Sequence, residues 1–173
     1  MAVGAKPQVP RAQLQRVVRP PQGMMYHSGM ADNLSPEDRR RTMRAVKSKG
    51  TGPERRLRAM LAARGFRGWV VNPAGMAGNP DFAFPSRRVA VFVDGCFWHR
   101  CPKCRRPLPV TNAGYWRKKI ARNAKRDRAW EGQLAGEGWR VVRIWEHELA
   151  KGESLKPVGD RIRAATEGRR PAR

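Results

Sequence analysis

At 173 residues the chain has room for one domain and little more, and its 37 Lys and Arg against 14 Asp and Glu give a formal charge of +23. So basic a balance costs self-repulsion and points to a polyanionic partner; nucleic acid fits best, because each neutralised phosphate releases counterions. No apolar run approaches the ~20 residues that span a bilayer, no apolar h-region marks a secretory signal, and three cysteines are an odd count for a disulfide framework, so a cytoplasmic, nucleoid-associated protein without a membrane role is expected.

Residues 1–33 hold Pro7, Pro10, Pro20 and Pro21 among scattered arginines, with no apolar period, and are expected to be a disordered basic extension. The folded domain is expected over 34–150, and 151–173 as a polar basic tail. Ser35-Pro36-Glu37-Asp38 starts a helix that runs to about Val46: a cap, a proline at the first position, and acids over the positive dipole end. A second helix begins at Thr51 or Gly52, with Leu57, Met60 and Leu61 on one face, and ends at Gly65. Trp69 to Val71 reads as a strand, and Asn72 to Pro80 as a glycine- and proline-rich loop. Asp81–Phe84 and Val89–Asp94 make a hairpin around Pro85-Ser86. A long basic helix follows from about Ala113 to Gly136, then a last central strand from Trp139 to Trp145, and a short helix from Glu146. The order ααβββαβα implies an α/β fold.

Two metal constellations stand out. Cys96, Cys101 and Cys104 lie within nine residues, the close spacing that tetrahedral zinc takes from tight turns. His147, just past the last strand, is the preferred fourth ligand of a structural Cys3His site; three reduced, buried thiols are the alternative. The His-x-Glu that a zinc deaminase needs before its cysteines is absent. Separately, Asp81 and Asp94 sit at ends of adjacent strands, with Glu54 on the helix before them. Oxygen ligands of this kind suit Mg²⁺ and phosphate chemistry. His99 could take a proton from the attacking water, and Asp127 could orient it. Taken singly, Asp81 and Asp94 also fit turn positions, and Glu54 and Asp127 fit the charged surface of a helix.

Met43-Arg-Ala-Val, Glu54, Gly78-Asn-Pro-Asp-Phe82, Asp94-Gly-Cys-Phe-Trp-His99, Tyr115-Trp-Arg-Lys-Lys-Ile120, Asn123, Arg126-Asp127, Gly138-Trp139-Arg-Val-Val and Ile144-Trp145-Glu146 occur in order, from about Ser35 to Leu149. The set resembles the very-short-patch-repair (Vsr) mismatch endonucleases, and Gly-Cys-Phe-Trp-His is its most specific piece. The resemblance implies a fold like type II restriction endonucleases, related to PD-(D/E)xK nucleases, with a mixed sheet flanked by helices. It implies nicking of one DNA strand beside the T of a T:G mismatch, with Mg²⁺ and a structural zinc. It further implies Asp81 as the central Mg²⁺ ligand, Val93 as a backbone ligand, His99 as the catalytic histidine, and Glu54 and Asp127 as acids holding the metal's water shell. Cys96, Cys101, Cys104 and His147 would match zinc ligands, and Phe97, Trp98 and Trp116 the aromatics that wedge into the base stack. Some members have Thr-His where this chain has Val93-Asp94, so an acid stands in place of a second histidine, like the second acid of PD-(D/E)xK nucleases. The zinc loop is also richer in cysteine than in some members.

Between Tyr115 and Arg128 the long helix carries seven Lys or Arg and one acid, which makes Lys118, Lys119, Arg122, Asn123 and Arg126 expected DNA contacts; a solvated basic face is the plainer account. The expected protein is thus a monomeric, Mg²⁺-dependent endonuclease acting on mismatched double-stranded DNA, with a functional link to a DNA cytosine methyltransferase. A restriction-linked nuclease of other specificity and a non-catalytic zinc-containing DNA-binding module are the rivals. Asp81 and His99 speak against the last, since neither is needed merely to grip DNA.

Overall fold

The computed structural model describes residues 49–168, together with Ser35, Glu37 and Arg41. The expected helix to Val46 lies outside the described residues apart from Glu37 and Arg41, which are helical and exposed; the expected extension over 1–33 lies wholly outside them.

Helix α1, Gly52–Ala63, opens on a reciprocal capping box. The Thr51 hydroxyl accepts from the Glu54 backbone N–H, and the Glu54 carboxylate accepts from the Thr51 N–H; such a cap is worth about 1 kcal/mol. The helix ends as expected at a glycine, Gly65, with φ at 73°. Strand β1, Val70–Val71, pairs antiparallel with β2, Phe82–Phe84. A 3-10 turn, Pro85–Arg87, closed by Arg88 in the left-handed region, then makes the hairpin to β3, Val89–Asp94. A crossover through the cysteine loop and helix α2, Ala113–Gly136, brings β4, Arg140–Trp145, parallel to β3. The sheet order is β1-β2-β3-β4. β4, expected to be central, is therefore the outermost strand on its side among the described residues.

The period of two along a strand assigns its faces. Val89 and Val91 of β3 and Val142 and Ile144 of β4 share a core with Leu57 and Leu61 of α1. Ala90 and Phe92 turn the other way, into a smaller cluster with Leu134 of α2 and the partly buried Val141. By the same alternation Asp94 and Arg143 belong to the α2 face, which is where two charged residues enter the structure.

The segment from Lys151 is not a polar tail. It carries helix α3, Lys156–Glu167, whose Val158, Ile162 and Ala165 complete the core on the α1 face. These apolar residues stand at i, i+4 and i+7, one stripe of a helix, but basic residues surround them and Gly159 interrupts them. The short helix expected after Trp145 is a 3-10 turn, Glu146–Leu149. No helix among the described residues is long and apolar enough to cross a membrane.

Candidate active site and metal centre

Asp81 immediately precedes β2, and its Oδ2 accepts a 2.6 Å hydrogen bond from the backbone N–H of Val93. Burial pushes the Asp81 carboxyl up to about 6, and the neighbouring charges of Glu54 and Asp94 push in the same direction, against the Val93 N–H. Glu54 and Asp94 thus crowd the buried Asp81 carboxyl and raise the cost of ionising it. A cation removes that cost. The donors are oxygens, which suits a hard divalent ion such as Mg²⁺. Glu54 is itself tied down: Gly50 N–H donates to its Oε2 at 2.7 Å and the Thr51 hydroxyl to its Oε1 at 2.7 Å. The cap that starts α1 therefore also aims this carboxylate.

A second set of charges lies on the α2 face. His99 Nδ1 is 2.5 Å from Asp127 Oδ2 and 3.7 Å from Asp94 Oδ1. Asp127 occupies a buried position on α2, in line with Trp116, Ile120 and Leu134. An acid on an apolar stripe needs a partner, and His99 is that partner. With Nδ1–H donated to Asp127, the other ring nitrogen, Nε2, is left to accept a proton. Arg143 Nη1 lies 2.5 Å from Asp94 Oδ2 and 3.9 Å from Asp127 Oδ2. Burial still holds the Asp94 carboxyl above the usual range, although His99 and Arg143 pull it down.

The expected zinc ligands come together. The ligand atoms of Cys96, Cys101, Cys104 and His147 all lie within 4.8 Å of one another. His147 Nδ1 is 3.2 Å from Cys96 Sγ and 3.6 Å from Cys101 Sγ. A tetrahedral zinc with bonds of about 2.3 Å to sulfur sets its ligands roughly 3.8 Å apart, so the donors fit in kind and in spacing. Burial pushes the Cys96 thiol up to about 12, and the neighbouring Cys104 and Cys101 add to the rise. A cation held among the four donors would let these thiols ionise together. Glu146 Oε2 accepts from the Cys96 backbone N–H at 3.2 Å, a second tie between β4's end and this loop.

The rings form one cluster over the start of α2. Phe97 lies 5.0 Å from Trp98 and 5.5 Å from Trp116, mostly edge to face, and Trp98 lies 6.0 Å from Trp116. Trp116 is buried, whereas Phe97 and Trp98 are partly exposed. Gly95 makes room for this packing: a Cβ there would lie 2.9 Å from Trp98 Cδ1. Asn123 Nδ2 donates to the Trp98 carbonyl at 3.2 Å. The Lys119 ammonium sits 5.3 to 5.6 Å from the rings of Trp98, Tyr115 and Trp116. Lys118 and Arg122 face solvent on the same helix, and Arg126, also exposed, stacks on Trp130 at 4.6 Å.

Neither Arg143 nor Tyr115 stands out in the sequence as a site residue. Arg143 is one basic residue among many, and only its place beside buried Asp94 on the α2 face of the sheet marks it. Tyr115 is the most open ring of the cluster, at 53 % exposure, and its signal was the bare adjacency of two aromatics, Tyr115-Trp116.

A family model described as "DNA mismatch endonuclease Vsr" matches residues 31–106. The type II nicking enzyme V.XorIIP of Xanthomonas oryzae pv. oryzae is 46 % identical over 122 residues, covering 70 % of this chain and 88 % of that protein. The type II nicking enzyme V.NaeI of Lentzea aerocolonigenes is 46 % identical over 114 residues, 64 % of this chain and 68 % of that protein. The DNA mismatch endonuclease Vsr of Escherichia coli K12 is 36 % identical over 126 residues, 73 % of this chain and 80 % of that protein.

Proposed function

The chain belongs to the Vsr family of DNA endonucleases, with a restriction endonuclease-like fold, and we propose that it nicks one strand of duplex DNA at T:G mismatches in a Mg²⁺-dependent reaction. The observation that carries the reading is the pairing of His99 with buried Asp127 on the sheet end that also holds Asp81.

Asp81 and the Val93 carbonyl would hold Mg²⁺, with Glu54 beside them. When bound, the ion supplies electrostatic stabilisation of the charge that builds on the phosphate. His99 does the proton chemistry. Asp127 fixes its ring through Nδ1, and Nε2 takes the proton from a water whose oxygen attacks phosphorus. The bond from phosphorus to the leaving sugar oxygen breaks, and that oxygen is protonated from solvent. Cys96, Cys101, Cys104 and His147 would hold a zinc in a structural part, since four protein donors would leave no position for substrate.

Recognition falls to Phe97, Trp98 and Trp116 as a wedge beside the mismatch, where unstacking costs least. Lys118, Lys119, Arg122, Asn123 and Arg126 would grip phosphates. The protein would act as a monomer at the nucleoid, downstream of a cytosine methyltransferase, because deamination of 5-methylcytosine is what leaves a T opposite G. The names of the nicking relatives favour a second reading, a restriction-linked nuclease of other specificity.

The test is incubation with T:G, T:A and other mismatched duplexes, with Mg²⁺ or with EDTA. Nicking confined to T:G and to Mg²⁺ is the expected result. Equal nicking of matched DNA would favour the second reading, and nicking in EDTA would overturn the metal assignment.

A further inference from the structure

We propose that Arg143 is a positioning residue of this active site: its guanidinium draws Asp94 away from His99 and leaves the imidazole Nδ1 to Asp127 alone. The inference rests on the reading of His99 as the base.

Two carboxylates compete for one N–H. Asp127 Oδ2 approaches His99 Nδ1 to 2.5 Å, while Asp94 Oδ1 stands off at 3.7 Å. Both acids are nearly buried, with side chains 10 % and 5 % exposed, so nothing in solvent separates them. What holds Asp94 back is on its other oxygen, where Arg143 Nη1 sits at 2.5 Å. The same nitrogen lies 3.9 Å from Asp127 Oδ2, and Arg143 Nε lies 3.7 Å from Glu131 Oε2. Asp127 and Glu131 are one turn apart on α2, so the guanidinium bridges β3, β4 and α2 at one point. Its carbon lies 5.5 Å over the Phe92 ring, the strand neighbour that the parallel register sets opposite it.

Arginine is the residue type that can do this. Its charge is permanent, and its planar fork addresses several acceptors while stacking on a ring. A lysine keeps the charge and loses the fork. A neutral residue leaves Asp94 buried without its cation, and the remaining donor within reach is the His99 Nδ1–H. The ring is then shared between two acids, and Nε2 no longer points where Asp127 alone would send it. Misplacement of about 1 Å can cost 10²-fold in rate.

Single-turnover nicking and DNA binding, the latter in EDTA, test this with Arg143→Met, Arg143→Lys, Asp94→Asn and the Asp94→Asn/Arg143→Met pair. Arg143→Met is expected to slow nicking by about 10–100-fold while DNA affinity stays nearly unchanged. Arg143→Lys should recover part of the rate. The pair should nick no more slowly than Arg143→Met, because both changes break one interaction. NMR of the DNA-free protein should show a far-downfield His99 Nδ1 proton that Arg143→Met shifts and Arg143→Lys largely keeps. Additive losses in the pair, a wild-type rate in Arg143→Met, or a loss of DNA binding that matches the loss of nicking would each overturn the proposal. If His99→Ala nicks at the wild-type rate, the base assignment fails instead. The NMR signal then still decides whether Arg143 sets the His99–Asp127 bond.

Discussion

The side chain on which most depends is Asp81, because burial and two neighbouring acids make its charge costly until a cation arrives. Asp81→Ala should abolish nicking and leave DNA binding largely intact, and a gel assay of nicking beside a binding assay reads both. His99→Ala should slow the reaction by about 10²–10⁴-fold, the range of general acid–base catalysis; full activity in either variant would sink the assignment. The pH dependence has a definite sign. Burial raises the Asp81 pKa from the ordinary 3.8 to about 6, so the stability this group contributes to the metal-free protein is fully present below about 4 and is lost as pH rises through 6. Metal binding runs the opposite way, since protons compete for the carboxylate. Calorimetric Mg²⁺ affinity should therefore fall below about pH 6, and an affinity flat from pH 5 to 7 would contradict the ligand role. Asp81 could be singled out in the sequence because an acid after Pro80 opens an apolar run; the crowding by Glu54 and Asp94 that gives it this pKa could not, because it depends on how α1 packs.

Among the elements, the cysteine loop does the most to join distant parts of the chain. It follows β3 directly, and His147 brings the end of β4 to it. His147→Ala should loosen the zinc and lower the melting temperature, as metal analysis and thermal unfolding would record; a normal melting temperature with no zinc in the wild-type protein would leave only buried thiols. The same loop presents Trp98, packed between Phe97, Trp116 and Lys119. Trp98→Ala should lower the preference for T:G over T:A duplexes by up to about 1–3 kcal/mol of stacking, measured at one salt concentration. Equal weakening on both duplexes would mean that the ring only supports the fold. Elements with their own signals were legible: α2 from its length and its run of basic residues, the β2–β3 hairpin from Pro85 and the flanking apolar runs. Helix α3 was not, since its Val158, Ile162 and Ala165 form a stripe that basic neighbours dilute. Nor was the outer position of β4, because strand order depends on where the crossover lands.

Over the whole molecule, the charge of +23 and the buried acids would divide the labour: the exposed basic face of α2 would meet DNA, while Glu54, Asp94 and Asp127 are buried, the first two raising the cost of charging Asp81 and the third pairing with His99. The parallel pairing of β3 with β4 has a consequence in time. Asp81, His99 and the three cysteines are synthesised well before Arg143 and His147. At about 5–20 residues per second, the ribosome needs roughly 2–9 s to travel from Cys104 to His147. During that interval the thiols lack their fourth partner and Asp94 lacks its cation. Stalled nascent chains that end before Arg140 should neither retain zinc nor nick a T:G duplex, whereas chains released at full length should do both. If those chains behave so, the direction of translation would withhold the nuclease's competence until β4 has docked.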